Sequence, residues 1–89
     1  MSVTIHEGVA ATNREKLVDL LIDVFLLEPD EFRFDLVRSD IETWDSLGVV
    51  AMAVGVEEVF GYHFSPDEAT GIIGVKDIMD LLSRKGIAF

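Results

Sequence analysis

The sequence has no cysteine, which excludes disulfides, thiolate metal sites and any thiol nucleophile of its own. It has no apolar run long enough to cross a membrane, and its first residues lack the basic segment and apolar core of a secretory leader. The chain is therefore expected to be soluble, unprocessed and cytoplasmic. Basic residues are scarce, with 7 Lys and Arg against 17 Asp and Glu, for a formal net charge of −10. That balance repels nucleic acid and anionic membrane, because gripping phosphate takes clustered Lys and Arg. It favours partners with basic patches through electrostatic steering. There are only 2 histidines, His6 and His63, which leaves few bases for acid–base catalysis. What the sequence does have is apolar content, 49% of 89 residues. That suits one small folded domain rather than a disordered chain.

The apolar residues recur at helical spacing. Thr12-Asn13-Arg14-Glu15 reads as a capping box, and Leu17, Leu20, Leu21, Val24 and Phe25 follow on one face. A first helix is expected from there to about Leu27, since Pro29 lies just beyond. Residues 1–11 form a loose lead-in to a domain spanning 12–86, and residues 87–89 are a short tail. Residues 28–45 form a long acidic connection, pinned by Phe32, Phe34, Leu36, Val37 and Ile41. Trp44 at its end is expected to wedge into the bundle rather than bind a ligand.

A second helix is expected from Ser46 to about Phe60, stopped by Gly61. At 100° per residue, Val49, Met52, Ala53, Val56, Val59 and Phe60 share a core face. Leu47, Ala51, Val54 and Glu58 lie opposite, with Gly48 and Gly55 flanking them. A helix apolar on both sides is either central or open to a partner, and a domain this small favours a docking face. Ser65-Pro66-Asp67-Glu68 is another capping box, opening a short helix that Gly71 closes. A last helix follows Gly74, with Val75, Ile78, Met79 and Leu82 inward, and Gly86 ends it. The expected fold is all-α: a small bundle of three main helices and one short helix, with a long loop between helices one and two.

Chemistry converges on Ser46. Asp45 and Ser46 are both residue types that cap helix starts, and the partly positive start tolerates an anion. A hydrolytic serine needs a base within hydrogen-bond reach. His63 would lie on the order of 25 Å along the helix at 1.5 Å per residue. The Gly-x-Ser-x-Gly elbow is absent, because Trp44 stands at its first position. The acidic loop lacks the spacing of a calcium loop. No catalytic residue and no metal site are expected. Ser46 is better suited to being modified by another enzyme than to attacking a substrate.

Asp45-Ser46-Leu47, Val56-Glu57-Glu58-Val59-Phe60-Gly61, Phe64-Ser65-Pro66-Asp67-Glu68 and Val75 stand in an order and spacing that resembles the acyl carrier proteins, over residues 13 to 83. The resemblance implies a non-enzymatic, monomeric carrier whose Ser46 bears 4′-phosphopantetheine, with Asp45 and Leu47 beside it. It implies acyl or aminoacyl cargo held as a thioester. The partners implied are a phosphopantetheinyl transferase and loading, synthase or transferase enzymes of fatty-acid, polyketide or related biosynthesis. Leu47, Ala51, Val54, Glu57 and Glu58 would meet those partners. Gly48, Ala51 and Gly55 stand where fatty-acid carriers often have acidic or larger residues, and Trp44-Asp45-Ser46-Leu47 is closer to carriers of specialised pathways. The competing reading is an unmodified helical interaction domain that docks through Leu47, Ala51 and Val54.

Overall fold

The computed structural model describes the backbone from Ile5 and the side chains from Thr12, through to Phe89. Four helices follow one another: α1 (Ile5–Phe25), α2 (Ser46–Phe60), α3 (Pro66–Gly71) and α4 (Val75–Arg84). Two single 3₁₀ turns, Pro29–Glu31 and Arg38–Asp40, punctuate the long connection. No strand occurs among the described residues. A lone antiparallel bridge joins Val37 to Gly74 and ties the connection to the entry of α4. Its hydrogen bonds run from Arg38 N–H to the Ile73 carbonyl (2.7 Å) and from Val75 N–H to the Leu36 carbonyl (3.0 Å).

Three of the helices, α1, α2 and α4, contribute a stripe to one core. Leu17, Leu21 and Phe25 of α1 are spaced by one turn and buried, as are Val49, Met52 and Val56 of α2 and Val75, Ile78 and Leu82 of α4. Leu36, Ile41 and Trp44 close the core from the connection, and Phe64, Ala69 and Ile72 close it from the α3 side. Each fully buried large side chain stabilises the fold by about 1.5–3 kcal/mol relative to exposure.

The all-α architecture agrees with the expectation, but several local features do not. α1 begins at Ile5, so Thr12 lies inside the helix and caps nothing. Its N–H can bond to a carbonyl one turn upstream, and Ala10 and Ala11 are strong helix formers. The lead-in assigned to residues 1–11 thus becomes helix from Ile5, and residues 1–4 lie outside the described residues. α1 ends at Phe25 rather than Leu27, because Leu26 turns left-handed at φ 58°. Leu27 N–H then reaches back to the Ile22 carbonyl (2.9 Å), the bond pattern of a helix terminus that usually takes glycine.

In the connection, Phe34 and Val37 are not anchors. They stay about two-fifths exposed, with Phe34 edge-on to Phe32 at 5.1 Å. A loop has no period to say which apolar residues turn inward. Val59 is also about two-fifths exposed, because the last fully buried residue of α2 is Val56.

Gly48 and Gly55 have a different role from the one expected. Both are buried. A Cβ on Gly48 would collide with the Thr43 carbonyl and press on the Phe25 ring at 3.2 Å. A Cβ on Gly55 would collide with the end of the Leu20 side chain. These glycines let α2 lie close against α1, which sets the position of the α2 start.

Candidate functional site

The start of α2 is fixed from behind. Trp44 is buried and stacked on Phe25, ring centroids 4.7 Å apart and 22° from parallel, as its wedge role requires. Thr43 Oγ1 donates to the Phe25 carbonyl (2.7 Å), so the residues before the helix are tied to the end of α1. Asp45 is the N-cap, and its Oδ1 accepts from Gly48 N–H at 2.9 Å. Ser46 is the first helical residue and takes no part in that cap. Of the two capping types at this helix start, the aspartate does the capping and the serine hydroxyl stays exposed.

A groove of about 490 Å³ opens beside Ser46 and runs between α2 and α3. Ser46, Val49, Val50, Ala53 and Glu57 line it from α2, and Phe64, Pro66, Ala69 and Thr70 line it opposite. From Ser46 to Glu57 the groove follows α2 for roughly 16 Å at 1.5 Å per residue. Its walls are mostly aliphatic, so it suits an elongated, largely apolar occupant. At the far end His63 Nδ1 lies 2.8 Å from Glu57 Oε1, with both side chains exposed. The histidine is therefore well out of hydrogen-bond reach of Ser46, and no histidine pairs with the serine among the described residues. The side chain of His6 lies outside the described residues. Among the described residues no cluster of three or more His, Cys, Asp or Glu could hold a metal.

The opposite wall is held by an ordered set of bonds. Ser65 caps α3 by accepting from Glu68 N–H (3.1 Å), and Glu68 Oε1 accepts from Ser65 N–H (3.0 Å). Tyr62 OH also donates to that carboxylate, at 2.8 and 2.9 Å from its two oxygens. The backbone bond from Ser65, followed by the Tyr62 hydroxyl, holds the Glu68 carboxyl below its ordinary pKa. The same hydrogen bond, with Glu68's negative charge and partial desolvation, raises that of Tyr62. Tyr62 packs edge-on to Phe64 at 5.2 Å, which fixes the ring that lines the groove.

Arg38 is a site residue the sequence did not mark. Its Nε donates to the Trp44 carbonyl (2.9 Å), and it lines the groove with Ser46. Of the two arginines in the connection, only Arg33 pairs with carboxylates among the described residues, with Asp35 at 3.0 Å and Asp40 at 3.9 Å.

The expected docking residues are outward. Leu47 is 80% exposed and Val54 51%, with Ala51, Glu57 and Glu58 exposed as well. Val50, 60% exposed, widens the patch. Val54 and Glu57 also border the groove, so only Leu47, Ala51 and Glu58 belong to the outer face alone. No described helix is long and apolar enough to cross a membrane.

No family model matches the chain. Curated relatives do. It is 32% identical over 68 residues to an acyl carrier protein of Coprothermobacter proteolyticus, covering 76% of this chain and 83% of that one. It is 30% identical over 71 residues to an acyl carrier protein of Petrotoga mobilis, covering 80% and 84%. It is 27% identical over 70 residues to one of Campylobacter hominis, covering 79% and 89%.

Proposed function

The chain belongs to the acyl carrier protein family, and from that premise we propose that it carries acyl or aminoacyl cargo as a thioester on a 4′-phosphopantetheine arm attached to Ser46. The observation that carries the reading is the division of labour at the α2 start. Asp45 supplies the cap, and Ser46 is left exposed beside an apolar groove. A free hydroxyl can be esterified without undoing the helix. The first N–H groups of α2 favour a negative group there.

The residues around Ser46 fit such an arm. The hydroxyl is exposed, Arg38 lies nearby without a carboxylate partner among the described residues, and the aliphatic groove begins at the serine. When bound, the arm supplies the thiol that a cysteine-free chain lacks. The chain's own residues position and recognise, and the chemistry is left to the partner enzymes. Val49, Val50 and Ala53 would shelter apolar cargo from water. Leu47, Ala51 and Glu58, with Val54 and Glu57 at the groove rim, would meet a phosphopantetheinyl transferase and then loading, synthase or transferase enzymes. The exposed leucine and valines support docking by burial as well as by charge. A pathway of specialised biosynthesis is favoured over a fatty-acid one by the small and apolar residues of that face.

Intact mass after incubation with coenzyme A and a broad-specificity phosphopantetheinyl transferase tests the reading. Gain of one phosphopantetheine is expected. A chain that folds, meets an active transferase and gains nothing is an unmodified docking domain.

A further inference from the structure

We propose that the guanidinium of Arg38 holds the phosphate of the arm on Ser46 and so turns the arm into the α2–α3 groove instead of over the outer face of α2. This rests on the attachment proposed above and adds a positioning residue to it.

Arg38 lines the groove together with Ser46. Its Nε is engaged with the Trp44 carbonyl at 2.9 Å, one residue before the Asp45 cap. That bond fixes the guanidinium while leaving its terminal amines uncommitted. No carboxylate lies within 4.0 Å of them among the described residues, in a chain of 17 acidic and 7 basic residues. Arg33, five positions earlier in the same connection, shows the ordinary outcome by pairing with Asp35 and Asp40. The backbone of Arg38 is held as well, by its N–H to the Ile73 carbonyl at 2.7 Å. The residue is half-buried, and the Nε bond to Trp44 holds its head beside the groove before any anion arrives.

A phosphodiester on Ser46 adds a negative charge next to the Asp45 carboxylate, on a chain already at −10. The α2 start offsets part of that repulsion, but Asp45 already occupies the cap. Among the described residues Arg38 is the only Lys or Arg that lines this groove. A guanidinium fork matches two phosphate oxygens at once, which an ammonium does not. Clamped on the Arg38 side of Ser46, the arm starts along Val49 and Ala53 and leaves Leu47 clear for a partner.

The test compares apo and modified forms of the wild type, Arg38→Gln, Arg38→Lys and the control Arg33→Gln. Intact mass is read first: a wild type that takes no arm contradicts the attachment, not the clamp. On modified protein, the ¹⁵N–¹H signal of Arg38 Nε and the ³¹P shift of the phosphodiester are then recorded. The clamp predicts that modification shifts the Arg38 signal and slows its exchange with solvent several-fold, leaving Arg33 unmoved. It predicts that Arg38→Gln moves the ³¹P signal toward that of free phosphopantetheine esters, that Arg38→Lys keeps only part of the wild-type shift, and that Arg33→Gln keeps all of it. Loss of the Trp44 contact lowers Tm equally in apo and modified Arg38→Gln, so the change in Tm on modification isolates the clamp. That change is smaller in Arg38→Gln than in the wild type. An Arg38 Nε signal indifferent to modification in the wild type, which requires no variant to fold, overturns the proposal, as does an identical ³¹P shift in the wild type and Arg38→Gln.

Discussion

Ser46 and Ser65 both stand at the start of a helix beside acidic residues, and the fold spends their hydroxyls differently. At α3 the serine is itself the N-cap, locked in a reciprocal box with Glu68, whose carboxylate also takes the Tyr62 hydroxyl. At α2 the cap is Asp45, and the serine one position later is exposed and idle in the cap. The supports differ too. The α3 start is held by its own hydrogen bonds at the surface. The α2 start is held from behind by buried groups: Gly48 against Thr43, and Trp44 stacked on Phe25. A hydroxyl within a cap is structural and costly to modify. A hydroxyl beside a cap, on a rigid base, is available for chemistry.

The contrast in support breaks most sharply at the glycines. Gly48→Ala drives a methyl into the Thr43 backbone carbonyl, which cannot swing aside. It is expected to cost about 3 kcal/mol, at the upper end of overpacking penalties. Gly71→Ala, at the end of α3, has nothing within 4 Å of the added Cβ. It is expected to be neutral or to stabilise by up to about 1 kcal/mol through helix propensity. Chemical denaturation of the two variants measures both.

Next in size is recognition. Leu47→Asp, next to Ser46 and 80% exposed, is expected to change stability by no more than the roughly 0.5 kcal/mol usual for surface changes. A partner that buries Leu47 loses about 1.5 kcal/mol or more, roughly tenfold in affinity. Transfer kinetics with a cognate partner read that loss. An unchanged rate places docking elsewhere.

Smaller still is the direct exchange of roles. Ser65→Ala removes a cap and is expected to cost about 1 kcal/mol. Ser46→Ala removes none and is expected to fall within about 0.5 kcal/mol. Equal losses in thermal melts would erase the distinction between the two serines.

The smallest effect is in pH. The Glu68 carboxyl has its folded pKa lowered, so its contribution to stability is present above the free value of about 4.3 and is lost as pH falls through the lower folded value. Tm against pH should therefore fall more steeply below about pH 4.3 in the wild type than in Glu68→Gln, which cannot titrate. Parallel acid limbs would mean the α3 box adds nothing ionic.

Much of this was legible because caps are local. Asp45-Ser46, Gly61 and Ser65-Pro66-Asp67-Glu68 each announce a helix boundary in a few residues; α2 begins and ends, and α3 begins, where they say. Thr12-Asn13-Arg14-Glu15 has the same form but lies inside α1, because a box pattern does not forbid helix upstream. The outward position of Leu47, Ala51 and Val54 followed from angular spacing alone. The packing of Gly48 and Gly55 did not, since it depends on where α1 passes. The groove and Arg38 were not readable for a related reason. Whether an arginine meets a carboxylate, and whether two helices leave a gap, are decided by tertiary placement. Arg33 and Arg38 look alike in sequence, and only the fold gives one of them Asp35 and Asp40.

The claim that most depends on this geometry is that the exposed hydroxyl, not the capping one, receives the arm. Its direct measurement is intact and peptide mass of the wild type, Ser46→Ala and Ser65→Ala after incubation with coenzyme A and a phosphopantetheinyl transferase. The account predicts one phosphopantetheine on the Ser46 peptide of the wild type and of Ser65→Ala, and none on a folded Ser46→Ala. A modified Ser46→Ala protein would contradict it.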